Sequence, residues 1–382
     1  MKNRRKRKNN HIVAMEELNT GRQIEIDSIK MVFVFIVAAI HCTIECTSDA
    51  GLQSGLAYVF DTVIGGPLAA PPLMFVMGVC LVYAKKRDWK TTFFRGLGLF
   101  GMGFVLNICR YTIPYLIGYA ITGDAAKYID PIWYRTFCND IFQFAGLALC
   151  VIAWMIRLQI PDLWMFLLAL ACSVLGTALN GTDVGSPAGN IVLGYLIGTE
   201  DAAGKVFSDF VLLNWLIVPV SGYLFGKRLR RVRDKAAFYR RISPVCALIA
   251  TVYFVVGIRN SSGMFGDGEN CYYHIITPDA LACIVTALAL LGIHYAINSR
   301  LPQTWQNVVG HIGGMMTLVY CLHWVILVYT VNLGIYIVRG TQELPMYQVL
   351  VISAAVTALS ILVAELWTCK LKEKVQKLRR WF

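Results

Sequence analysis

The sequence predicts an all-α protein, a polytopic transmembrane helix bundle of about ten spans. Three observations point to it. The 382-residue chain is 57% hydrophobic and 15% charged, whereas ordinary soluble domains carry roughly 25% charged residues. Apolar runs long enough to cross a bilayer recur along almost the whole chain. The basic residues behind the net charge of +12 cluster at the ends of alternate runs, which is the positive-inside pattern. No basic patch interleaved with aromatics marks a nucleic-acid surface, so nucleic acid is excluded as a partner and the lipid bilayer takes its place.

The spans read, in order, as residues 29–47, 66–84, 92–118, 137–157, 163–180, 207–226, 245–258, 279–298, 313–333 and 347–369. Residues 245–258 are the shortest of these and need their flanks to reach across. Residues 1–28 form a basic cytoplasmic N-terminal segment, 29–369 the membrane domain and 370–382 a basic cytoplasmic tail. With 1–28 inside, the basic runs at 85–90 and 227–233 and the tail all fall inside, giving a multi-pass protein with both termini cytoplasmic. Residues 191–198 (IVLGYLIG) are apolar but too short to span, and read as a re-entrant or interfacial helix. A second short helix is expected over 54–63. Cys138 and Cys271 fall in external loops and are candidates to pair in an oxidising compartment.

Ionisable residues inside a span are costly and are functional candidates by default. His41 and Glu45 lie four apart on the first span and share a helix face. A carboxylate beside an imidazole orients it and raises its basicity, as a general base requires; the competing reading is a buried pair that satisfies only itself. His323 lies in the run TLVYCLHW, where a core histidine bonded to a neighbouring helix is the plain alternative. At about 1.5 Å per residue, His41 lies about 18 Å and His323 about 17 Å from the inner ends of their helices, so their depths match. Arg95, with Arg87 and Lys90 before it, makes a basic inner mouth suited to phosphate; simple membrane anchoring is the competing reading for the lysines. Arg110 and Arg135 lie towards the outer side, where each can pair with an acidic residue (Glu45, Asp130 or Asp140) or hold an acidic substrate. Gly96 to Gly101 (GLGLFG) matches a dinucleotide fingerprint by spacing. No strand precedes it, so close helix packing is the better account. No third ligand accompanies His41 and Glu45, so no metal site is expected.

Several of these residues together resemble a known family. Arg22, Asp27 and Lys30, followed by an apolar helix and His41, resemble the opening of the membrane-bound acyltransferase-3 family, with Lys30 where the family has Arg. Pro72 to Gly78 (PLMFVMG) resembles its second-helix signature. Phe94 to Asn107 is similar to the heparan-α-glucosaminide N-acetyltransferase-like branch, and Leu318 to His323 (LVYCLH) resembles a late helix of the wider transmembrane acyltransferase superfamily. The resemblance implies transfer of an acyl group, usually acetyl, from cytoplasmic acetyl-CoA or another acyl-CoA to a hydroxyl or amine of an extracytoplasmic glycan or related acceptor. It implies that His41 is the essential catalytic residue and that Arg95 serves the donor. On this reading Glu45 orients His41, His323 is a second polar group at the site, Arg87, Lys90 and Arg95 hold the donor, and Arg110 and Arg135 face the acceptor. A proton-coupled transporter or flippase is the alternative, since intramembrane His and Glu also suit a proton relay. No internal repeat supports it.

Overall fold

The first long helix, α1 (Ile24–Cys46), is the axis of the bundle. Buried residues lie on several sides of it, among them Phe33, Val34, Val37, Ala38 and Cys42. A helix apolar all round must be enclosed or face lipid, and α1 is enclosed by five others. The computed structural model describes residues 16–266 and 268–379. The basic stretch 1–10, Asp267, and the side chains of Glu269 and of the tail beyond Lys370 lie outside the described residues.

The remaining helices follow as α2 (Gly55–Tyr83), α3 (Trp89–Thr122), α4 (Ile141–Arg157), α5 (Asp162–Ala178), α6 (Ile217–Leu229), α7 (Lys235–Arg259), α8 (Thr277–Asn298), α9 (Gln303–Gly314), α10 (Met316–Arg339) and α11 (Met346–Arg379). Seven segments, in α1, α2, α3, α7, α8, α10 and α11, are long and apolar enough to cross a membrane, and α4 and α5 are shorter apolar helices. No strand occurs among the described residues beyond isolated bridges. This is the architecture of an integral, multi-pass membrane protein. α1 packs against α2, α8, α9, α10 and α11, while α3 pairs with α4, α2 with α6, and α7 with α8. The outer helices turn apolar faces away from the protein, as with Leu248 and Val252 on α7 and Val351 and Leu362 on α11.

Small residues set the close contacts, as expected where lipid removes the usual hydrophobic drive between helices. A Cβ on Gly78 would lie 1.9 Å from the Pro219 carbonyl oxygen, and one on Gly222 1.9 Å from that of Phe75. The glycine that ends PLMFVMG therefore lets α2 and α6 touch backbone to backbone. Gly96 of the GLGLFG run meets Gly146 of α4 in the same way, whereas Gly98 and Gly101 face open space.

Three stretches widen into π turns: Val59–Ala69 in α2, Ile108–Thr112 in α3 and Val328–Ile335 in α10. The first contains Pro67, which cannot donate to a helical ladder; the wider turn absorbs it without ending the helix. For this reason 54–63 is not a separate short helix but the beginning of α2. Other expectations need correction too. Residues 207–211 are irregular, with Ser208 bridged to Asn139, so the sixth span shortens to α6. The loop expected at 299–312 contains α9, whose polar residues mask its pattern. Residues 191–198 contribute only to the short helix Pro187–Leu193, which spans about 10 Å and cannot cross. The short seventh span gains its length from α7, which starts at Lys235 with Asp234 accepting from the Ala237 amide at 2.9 Å. The expected pairing of Cys138 with Cys271 is not formed.

The bundle has two ends. At the proximal one, the start of α1 is tied down on several sides. Arg22 pairs with Asp27 and donates to the Gly310 carbonyl of α9. Lys235 pairs with the fully buried Glu25 at 2.6 Å. Arg230 pairs with Glu17 at 2.6 Å and donates to Val82 O at the end of α2 at 2.9 Å. The Arg22–Asp27 spacing noted in the sequence is thus a clamp between α1 and α9. At the distal end, the Leu344 amide donates to Cys46 O at 2.8 Å.

Candidate active site

Where α1 meets α10 and the π turn of α3, a polar and aromatic cluster interrupts the apolar interior. His41 projects from α1, half-buried, and His323 from α10 with no exposed surface. Their rings approach with His41 Nδ1 2.7 Å from His323 Nε2. The other nitrogen of His323, Nδ1, faces the Val319 carbonyl at 3.3 Å. A carbonyl only accepts, so this contact assigns the proton of a neutral His323 to Nδ1. Nε2 must then accept, and His41 Nδ1–H donates to it. The chain of assignments leaves His41 Nε2 with a free lone pair and no hydrogen bond to any described residue. An imidazole held at one nitrogen and open at the other is the arrangement of a general base.

Rings fix the pair from the sides. Trp324 stacks on His41 with centroids 4.2 Å apart and planes 25° apart. Tyr320 sets its ring edge-on to both histidines, at 6.1 Å and 5.2 Å. Tyr320 is in turn braced by Phe33 and Phe142.

Arg110 sits on the π turn of α3 and is 1% exposed. Its guanidinium pairs with Asp140, donates to Asn107 Oδ1 at 2.9 Å, and lies 4.7 Å over the Trp324 ring. Asp140 serves twice: Oδ2 takes the ion pair and Oδ1 accepts the Ile141 amide at 2.6 Å, capping α4. Removing one partner of such a buried pair costs about 3–5 kcal/mol, because the other charge is stranded. Arg110 is therefore committed inside the protein and does not present its charge to an acceptor.

The remaining expected residues fall in different places. Glu45 shares a face of α1 with His41, yet its carboxylate accepts from Asn332 Nδ2 at 2.7 Å. The group that orients His41 is His323, not Glu45. Asn332 lies on the π turn of α10. Arg135 is exposed at the distal end, 5.6 Å from the Tyr111 ring and 5.5 Å from that of Tyr134. Arg87, Lys90 and Arg95 are exposed together around the start of α3, with Arg95 donating to Lys86 O at 3.2 Å. Among the described residues no cluster of metal-ligating side chains forms. Asp140 is among the acidic partners expected for Arg110 and does pair with it, whereas Trp324, Tyr320 and Asn107 were not foreseen. Asp140 carried a signal, an acidic residue immediately before an apolar run. The other three have none apart from proximity along the chain to His323 or Arg110.

No curated protein and no solved structure gives a significant match to the chain. A family model does: the one described as an acyltransferase domain matches residues 23–365, from just before α1 into α11. That stretch holds both histidines, Arg110, Asp140 and Asp27, and begins one residue after Arg22. The chain belongs to the acyltransferase-3 family of membrane acyltransferases.

Proposed function

We propose that the protein moves an acyl group, in the first instance acetyl, from cytoplasmic acyl-CoA to a hydroxyl or amine of an extracytoplasmic glycan or related acceptor. The observation that carries this reading is the His41–His323 pair, which leaves one lone pair of His41 free inside a chain of acyltransferase descent. His41 Nε2 takes the acceptor proton as the acceptor attacks the acyl carbonyl, and returns it to the departing thiolate. His323 is a positioning residue that holds the tautomer. Burial of the pair keeps bulk water from competing as acceptor.

The donor fits the proximal end. Arg87, Lys90 and Arg95 are exposed there and none pairs with a carboxylate among the described residues, so their charges are open to the phosphates of a coenzyme A. Arg135, beside Tyr111 and Tyr134 at the distal end, supports an acceptor there. The decisive experiment replaces His41. His41→Ala should abolish acyl transfer from acetyl-CoA to a supplied glycan or amine acceptor while the protein still inserts and purifies at parent yield. A fully active His41→Ala protein would remove the mechanism.

A further inference from the structure

Trp324 carries an unexplained polar atom. Its indole nitrogen, Nε1, is buried, and no acceptor among the described residues meets hydrogen-bond geometry with it; the Tyr320 hydroxyl, one turn back, lies near it without completing a bond. Buried indole N–H groups ordinarily find an acceptor. Leaving one unpaired leaves the cost of taking it out of water uncompensated, so an orphan in a native structure asks for a reason. This orphan is not in a remote part of the core. The indole stacks on His41 and lies beneath the Arg110 guanidinium. Arg110 is itself locked by Asp140 and Asn107. The ring is thus clamped in place, with its one donor unused, beside an imidazole whose second nitrogen is also unused.

Resting on the acyl-transfer reading above, we infer that Trp324 is a further catalytic residue: its Nε1–H donates to the acyl carbonyl oxygen as that oxygen becomes negative. The ring separation permits this. Near-parallel rings with centroids 4.2 Å apart keep Trp324 Nε1 and His41 Nε2 within about 7 Å of each other, a gap that one tetrahedral carbon spans through two hydrogen bonds of about 2.9 Å.

The step balances. The acceptor's oxygen or nitrogen forms a bond to the thioester carbonyl carbon. Its proton passes to His41 Nε2, and the carbonyl π pair moves onto the oxygen that Trp324 holds. When that pair returns, the carbon–sulfur bond breaks. The thiolate leaves with the proton from His41, and Trp324 again has no partner. The donor is unsatisfied in the resting protein and satisfied when charge develops, which is how a preorganised hydrogen bond lowers a barrier.

The test isolates one hydrogen. Trp324→Phe keeps an aromatic ring against His41 and removes the N–H. Incorporation of β-(3-benzothienyl)alanine at position 324, by suppression of a stop codon, keeps size, shape and stacking and puts sulfur where the N–H was. With the parent and both variants in the same detergent, kcat and KM for acetyl-CoA are measured against one acceptor. The benzothienyl protein should lose about 10²–10³-fold in kcat, with KM for the donor within about threefold of the parent and the pH profile unchanged, since His41 still sets it. A benzothienyl protein with kcat within threefold of the parent overturns the assignment and leaves acyl transfer standing. A parent without acyl transfer overturns both. If Trp324→Phe alone loses activity and the benzothienyl protein does not, Trp324 is only a packing residue and the assignment falls.

Discussion

At the scale of single residues, the site turns on which nitrogen of each histidine holds a proton. The Val319 carbonyl fixes His323, and His323 fixes His41. Removing His323 should therefore impair His41 without touching substrate. In His323→Leu the buried His41 Nδ1–H loses its acceptor and the imidazole is free to adopt the wrong tautomer. His323→Gln keeps an amide oxygen that can accept the same proton. The expected result is a fall in kcat of about 10²-fold or more for His323→Leu, a smaller fall for His323→Gln, and little change in donor KM for either. Equal activities for Leu and Gln would show that His323 does not act through its hydrogen bond. Part of this was visible beforehand. The two histidines lie at matched depth on their helices, and the structure joins them by a 2.7 Å contact. Depth alone left their lateral placement open, because it does not say that α1 and α10 are neighbours. Glu45 shows the converse: spacing by four put it on the same face as His41, but its closest polar partner came from another helix.

At the scale of helices, the π turns explain why some placements escaped the sequence. Patterns of 3.6 residues assign faces only while the ladder stays α-helical. Across Ile108–Thr112 the turn widens, and Arg110 rotates from an expected substrate position into the interior. Across Val328–Ile335 the same change delivers Asn332 to Glu45. The Val59–Ala69 turn carries a proline that reads as a break in the sequence, so the apolar pattern places the start of α2 later than the structure does. The helices themselves were legible because long apolar runs need no periodicity to be recognised. Glycine contacts were legible as a class but not one by one, and they give a paired prediction. Gly222→Ala places a methyl against the Phe75 backbone, which cannot move aside as a side chain tip can. It should lower thermal stability in detergent by about 1–3 kcal/mol and reduce activity with it. Gly98→Ala meets nothing within 4 Å and should leave both unchanged. The reverse ranking would mean that α2 and α6 do not pack as described.

At the scale of the whole molecule, charge gives the bundle a direction. The basic runs at 85–90 and 227–235 gather at the proximal end. Arg230 bonds to Glu17 and Val82 there, Lys235 to Glu25, and Lys227 to Asp162 at the start of α5. The end of the membrane part of α11 joins them, because Glu365 pairs with His311 of α9. Separate segments of the chain thus place their cations on one face, although nothing in helix packing requires it. Lysine and arginine flanking spans are retained on the cytoplasmic side, so this face is predicted to be cytoplasmic, with both chain ends on it. A fluorescent protein that matures only in the cytoplasm and alkaline phosphatase, active only outside it, are fused in turn after Phe382 and after Asp183 in the distal loop. The C-terminal fusion should fluoresce and lack phosphatase activity, and the loop fusion should do the opposite. An inverted result would put Arg87, Lys90 and Arg95 on the side that acyl-CoA does not reach. The donor would then have to approach from the Arg135 end, so the orientation of this protein decides which end of the His41 site receives the thioester.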